Sequence, residues 1–190
     1  MTARAADIAP AARPGLGYAW YTTGVLTVCY TLSFIDRQIL SLLVGPIKAE
    51  FNVSDTQVGL LGGLAFALFY SVLSLPAGRL VDRFNRRNII AAGVFFWSLM
   101  TALCAVVRGY PGLFMARMGV GVGEATLAPA AVSMISDSFP NEKLGGAMSF
   151  YGVGIYLGSG LALLVGGLVV ELVTQVPTLT LPVFGEIASW

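Results

Sequence analysis

Histidine is absent from the 190 residues, only two cysteines occur, and charged side chains make up 11% of the chain, well under the about one quarter usual in a soluble domain. Each scarcity excludes something. Without histidine there is no histidine-rich metal site, and proton chemistry near neutral pH falls to carboxylates in unusual surroundings. Cys29 and Cys104 both sit in apolar stretches, where a thiol behaves as a small hydrophobe, so no disulfide is expected. A net charge of +1 with no basic stripe excludes a nucleic-acid partner. The opening residues are rich in alanine and proline and lack the apolar core of a secretory signal, so 1–18 reads as a disordered cytoplasmic lead-in.

What the chain has is hydrocarbon: 56% of its residues are hydrophobic. Five apolar stretches match or approach the roughly 20 residues that cross a bilayer as helix. The expected class is an all-α integral membrane protein of about five transmembrane helices, near 19–44, 58–75, 89–107, 112–135 and 145–170, partnered by the lipid bilayer. Gly45 and Pro46 stop the first span. Ser54 and Gln57 form an N-cap pattern ahead of the second. Pro76, Ala77 and Gly78 end the second span, and the charge cluster after them reads as a tight turn. Pro129 is expected to kink the fourth span. In the fifth, Gly152, Gly154, Gly158, Gly160, Gly166 and Gly167 let a neighbouring backbone approach. Residues 171–190 read as an extracytoplasmic loop.

Lysines and arginines near span ends set orientation. Arg4, Arg13, Arg79, Arg83, Arg86, Arg87 and Lys143 fall on one side, Lys48 and Arg108 on the other. This predicts a cytoplasmic N-terminus in a plasma (inner) membrane and an extracytoplasmic C-terminus, as for a chain that stops before a sixth helix.

Charge inside a span is expensive unless paired or facing water, which singles out Asp36, Arg37, Arg117 and Glu124. Arg117 and Glu124 lie seven residues apart, about 10 Å along a helix, so each should meet a partner elsewhere. Asp36 and Arg37 are adjacent and diverge by about 100°, so they cannot simply neutralise each other. The economical arrangement has the first and fourth helices facing across a polar cavity, arginines available to an anion and Asp36 or Glu124 to a proton. Tyr30, Phe34 and Ser41 share the Arg37 face and are candidates to line it. The alternative is a static ion network that only fixes packing. Gly119, Gly121 and Gly123 lack the order and the preceding strand of a dinucleotide loop; close helix packing explains them, and no cofactor is implied.

The run Gly78, Arg79, Leu80, Val81, Asp82, Arg83, Phe84, Asn85, Arg86, Arg87 resembles the signature loop of the major facilitator superfamily, G-x-L-a-D-R-x-G-R-R. Asn85 replaces the usual glycine, and asparagine tolerates left-handed backbone better than most residues. The stretches Ser33 to Gln38 and Arg117 to Ala125, with Pro129, Ser133 to Asp137 and the glycine-rich fifth span, look like the spinster-like branch. The resemblance implies a fold of two six-helix halves with solute held between them, and a missing C-terminal half as packing partner. It implies substrate binding and proton coupling at Asp36, Arg37, Arg117 and Glu124. It also implies a cytoplasmic gating network of Gly78, Asp82, Arg83, Arg86 and Arg87, with Asp137 as partner. The expected function is a proton-coupled, alternating-access transporter of a small organic, amphipathic or anionic solute, and not an enzyme. The other reading is a truncated, transport-incompetent membrane protein or a split half that needs a partner.

Overall fold

A computed structural model describes residues 14–175, 178–181 and 185–188. Of the expected lead-in, residues 1–13 lie outside the described residues. The first span is α1, Leu16–Leu42, followed after Leu43 by the short α2, Val44–Phe51. The helix breaks where Gly45 and Pro46 announce it, and Pro46 then sits in the first turn of α2, where a missing amide donor breaks no bond. Asn52 ends α2 in left-handed geometry, with φ of 50°.

The second span is longer than expected. It begins with α3, Asp55–Gly59, passes through a π-helical turn, Leu60–Leu64, and continues as α4, Ala65–Arg83. Its start is a capping box, with the Gln57 amide donating to Ser54 Oγ and the Ser54 amide donating to Gln57 Oε1. Pro76 lies inside α4 and does not end it. A proline removes one amide donor, whereas unwinding would expose several peptide groups to hydrocarbon, so the helix persists. Gly78, Asp82 and Arg83 are therefore helical, and the turn shrinks to Phe84 and Asn85. Asn85 is extended, with φ of −64° and ψ of 113°, and its side chain accepts from the Arg87 amide. It serves as an N-cap and needs no left-handed tolerance.

The third span is α5, Arg86–Cys104. The fourth is two helices, α6, Tyr110–Glu124, and α7, Leu127–Ser138, interrupted at Ala125 and Thr126. Pro129 stands in the first turn of α7, where its missing amide breaks no helical bond, and the interruption at Ala125 and Thr126 just before it stands where the sequence predicts a kink. The fifth span, α8, Asn141–Gln175, is longer at both ends than expected. Part of the expected loop at 171–190 is instead an antiparallel pair, β1, Thr178–Leu181, and β2, Gly185–Ala188, with Thr178 opposite Ala188. The rest of that loop lies outside the described residues.

Packing follows the glycines. A Cβ at Gly154 would lie 3.1 Å from the Thr27 carbonyl oxygen and one at Gly158 2.5 Å from that of Thr31, so α8 runs backbone to backbone along α1. Thr23, Thr27 and Thr31 remain tolerable in this seam because each hydroxyl donates to the carbonyl four residues back, at 2.8 to 2.9 Å. On the other flank a Cβ at Gly93 would lie 2.9 Å from the Gly123 carbonyl oxygen, and one at Gly123 2.8 Å from the Trp97 amide nitrogen. The fourth span lies at the centre, its Val120, Ala130, Ala131 and Ile135 all buried. Among the described residues, five helices are long and apolar enough to cross a membrane.

Candidate functional site

Glu124 is the last residue of α6 before the kink and is 1% exposed. Its Oε2 accepts from Ser33 Oγ at 2.6 Å and from Arg37 Nε at 2.8 Å, and Arg37 Nη2 lies 2.7 Å away. Its Oε1 is buried with no hydrogen-bond partner. All the donors therefore converge on one oxygen.

One residue earlier on α1, Asp36 turns the other way. Thr101 Oγ1 of α5 donates to Asp36 Oδ2 at 3.1 Å, and Arg117 Nη1 lies 3.5 Å from the same oxygen. Arg117 Nη2 donates to the Asp36 main-chain carbonyl at 2.9 Å, while its Nε is buried without an acceptor. The helical spacing explains the crossing pattern. Adjacent residues on α1 point apart and reach positions two turns apart on α6, so the first and fourth spans are clasped by two separate ion pairs, Arg37 with Glu124 and Arg117 with Asp36.

Arg37 is also enclosed by aromatic faces. Its guanidinium carbon lies 4.9 Å from the ring centre of Phe34, 4.6 Å from Phe66 and 4.7 Å from Tyr70. Phe66 also faces Arg117, at 5.9 Å. Tyr30 stacks on Tyr151 of α8, centroids 4.5 Å apart, and meets Phe34 edge-on. Ser41 donates to the Gln38 carbonyl and lines a groove with Arg37. The structure thus gathers Asp36, Arg37, Arg117 and Glu124, places Phe34 under Arg37, and turns Tyr30 toward the fifth span.

Ser33, Thr101, Phe66 and Tyr70 escaped sequence reasoning as site residues. Ser33 stands four residues before Arg37, a spacing that shares its face and was available as a signal. A lone threonine and two aromatics in apolar helices carry no mark that separates a site from lipid-facing packing. At the basic end of the bundle, Arg86 pairs with Asp137 across α5 and α7. Asp82, Arg83 and Arg87 are exposed. Among the described residues no group of three or more histidine, cysteine, aspartate or glutamate side chains is placed to hold a metal ion.

Two ion pairs, Arg37 with Glu124 and Arg117 with Asp36, thus lie within a bundle of apolar helices, where charge is expensive unless paired. The family model for the Major Facilitator Superfamily matches residues 26–185, and the chain belongs to that family. Within it the chain is similar to spinster proteins. A solved bacterial homologue of the human lysosomal transporter spinster, inward-facing and occupied, superposes with a TM-score of 0.81 at 38% identity, covering 85% of this chain and 35% of that one. The zebrafish (Danio rerio) sphingosine-1-phosphate transporter SPNS2 is 33% identical over 76% of this chain and 29% of its own length. The probable L-galactonate transporter of Escherichia coli (strain K12) is 33% identical over 72% of this chain and 30% of its own. The chain spans about a third of the length of these relatives.

Proposed function

We propose that the chain is part of a proton-coupled secondary transporter of a small organic, amphipathic or anionic solute, working by alternating access in the plasma (inner) membrane. The single observation that carries this reading is the loading of Glu124: three donor atoms crowd Oε2 while Oε1 is buried and unpartnered. A proton can settle on Oε1 without displacing a hydrogen bond, and the neutral carboxyl then holds Arg37 far less tightly. Arg37, a quarter exposed and flanked by aromatic faces, becomes free to take an anionic group on the solute. Proton and anion thus enter together, and loss of the proton restores the internal pair. Asp36 and Arg117 form the second pair of the clasp, which holds the first and fourth spans while Arg37 exchanges partners. L-galactonate and sphingosine-1-phosphate, named for two relatives, both carry anionic groups, in keeping with an arginine anchor.

Binding of radiolabelled octyl phosphate and gluconate to the chain in lipid nanodiscs tests the coupling. Affinity rises as pH falls in the wild-type protein. In Glu124→Gln, which mimics the protonated state, affinity is high and independent of pH. A Glu124→Gln variant with unchanged pH dependence overturns the assignment of the proton to Glu124.

A further inference from the structure

We infer that Ser33 is the positioning residue that holds the Glu124 carboxyl while Arg37 changes partners, and that it sets the pH at which the site loads. This rests on the reading of Glu124 as the proton carrier and adds what regulates that proton.

A serine or threonine hydroxyl has one proton to donate, and inside a helix that proton commonly goes to a carbonyl three or four residues back. Thr23, Thr27, Thr31 and Ser41 of α1 all do this. Ser33 does not. Its Oγ donates to Glu124 Oε2 on the fourth span at 2.6 Å, the length of a bond to an ionised acceptor. Ser33 and Glu124 are each 1% exposed, so this bond is closed to a solute. Arg37 is charged, and a quarter of its side chain is exposed. Of the two side chains that donate to Oε2, an incoming anion therefore draws away the guanidinium and leaves the hydroxyl in place.

The other ionisable groups nearby have partners of their own. Asp36 and Arg117 pair with each other, Tyr70 of α4 lies over Arg37, Tyr151 of α8 stacks on Tyr30, and Cys104 of α5 shares a pocket with Asp36 and Arg117. Ser33 acts on Glu124 directly. A hydroxyl bonds an ionised carboxylate more strongly than a neutral carboxyl, so Ser33 opposes protonation of Glu124 whether Arg37 is present or drawn off. By occupying Oε2 it also directs the proton to the unpartnered Oε1. Without the hydroxyl, the carboxyl takes its proton at higher pH and, once Arg37 has left, loses its remaining donor.

The test uses Ser33→Ala in lipid nanodiscs, with binding of radiolabelled octyl phosphate and gluconate measured across pH and infrared difference spectra of the carboxyl band recorded alongside. The midpoint of the pH dependence should move up by about one unit. Affinity at low pH then equals that of the wild type, and above the wild-type midpoint the variant binds several-fold tighter. The carbonyl stretch of the protonated carboxyl, assigned by its loss in Glu124→Gln, moves to higher wavenumber, because Oε2 no longer accepts a hydrogen bond. Ser33→Cys, similar in size and a weaker donor, should move both readouts in the same direction by less, and it decides the matter if the alanine variant does not fold. Ser136→Ala, whose exposed hydroxyl donates within α7, is the control and moves neither. Affinity lowered equally at every pH, with the midpoint unmoved, marks Ser33 as a packing residue and overturns the proposal, as does an unmoved carbonyl band. A wild-type chain that binds neither probe, or binds both independently of pH, sinks the reading of Glu124 and this inference with it. Binding that depends on pH in the wild type and is unchanged in Ser33→Ala sinks this inference alone.

Discussion

Arg37 has two kinds of partner, a carboxylate and three ring faces, and a guanidinium suits both because it is planar and presents its donors in a fork. Lysine offers neither the fork nor the stacking surface. Arg37→Lys should therefore weaken anion binding at least tenfold and lower the thermal midpoint, a result that fluorescence-monitored unfolding in detergent checks. Glu124→Ala leaves Arg37 and Ser33 facing an empty buried site, and the expected destabilisation is about 3–5 kcal/mol. If the pair acts as a unit, Arg37→Ala added to Glu124→Ala costs little more than the single change; full additivity would mean that the two side chains are energetically independent. The identity of these residues was legible in the sequence, because charge in hydrocarbon is rare and expensive. Their pairing was only half legible. Spacing excluded Arg117 with Glu124 and Asp36 with Arg37, but the rotation of α1 about its own axis decides which arginine meets which carboxylate, and that rotation is set by the threonine and glycine seam with α8.

Elements depend on the same seams. In an apolar solvent helices gain no hydrophobic energy by associating, so close backbone approach carries much of the packing. Gly123→Ala places a methyl group 2.8 Å from the Trp97 amide nitrogen and 3.0 Å from the Gly93 carbonyl oxygen, and rigid helices cannot both yield. The expected loss is about 1–3 kcal/mol, read as a lower thermal midpoint, whereas Gly160→Ala is neutral or slightly stabilising. Asn85→Ala removes the cap on α5 and should cost about 1 kcal/mol without altering solute affinity. Helix existence was plain from hydropathy, and so were the break near Pro46 and the kink near Pro129. Helix ends were not. Pro76 and the charges after it look like a stop, yet the helix runs seven residues further to Arg83, because peptide groups near a membrane are better satisfied by another turn of helix than by unwinding. The hairpin after α8 has only four-residue strands, so the alternation of Thr178, Leu179, Thr180 and Leu181 is too short to stand out as a strand signal.

At the scale of the whole molecule the two ends of the bundle differ in charge. At one end Arg79, Arg83 and Arg87 are exposed, and Arg86 is paired with Asp137. At the other, Lys48 is held by Asp55 at 2.5 Å. Lysines and arginines resist translocation, and those within about 15–20 residues of a span end count most, so the arginine-rich end should remain in the cytoplasm. Alkaline phosphatase fused after Asn85 is then inactive in a bacterial host and active when fused after Arg108, the loop on the opposite side. Replacing Arg79, Arg83 and Arg87 together by glutamine should mix the two orientations and raise the activity of the Asn85 fusion, since the remaining asymmetry is small. Phosphatase activity after Asn85 in the unmodified chain would invert the bundle. The Lys48–Asp55 end would then face the cytoplasm, and an inward proton gradient would approach Glu124 from the arginine-rich end instead.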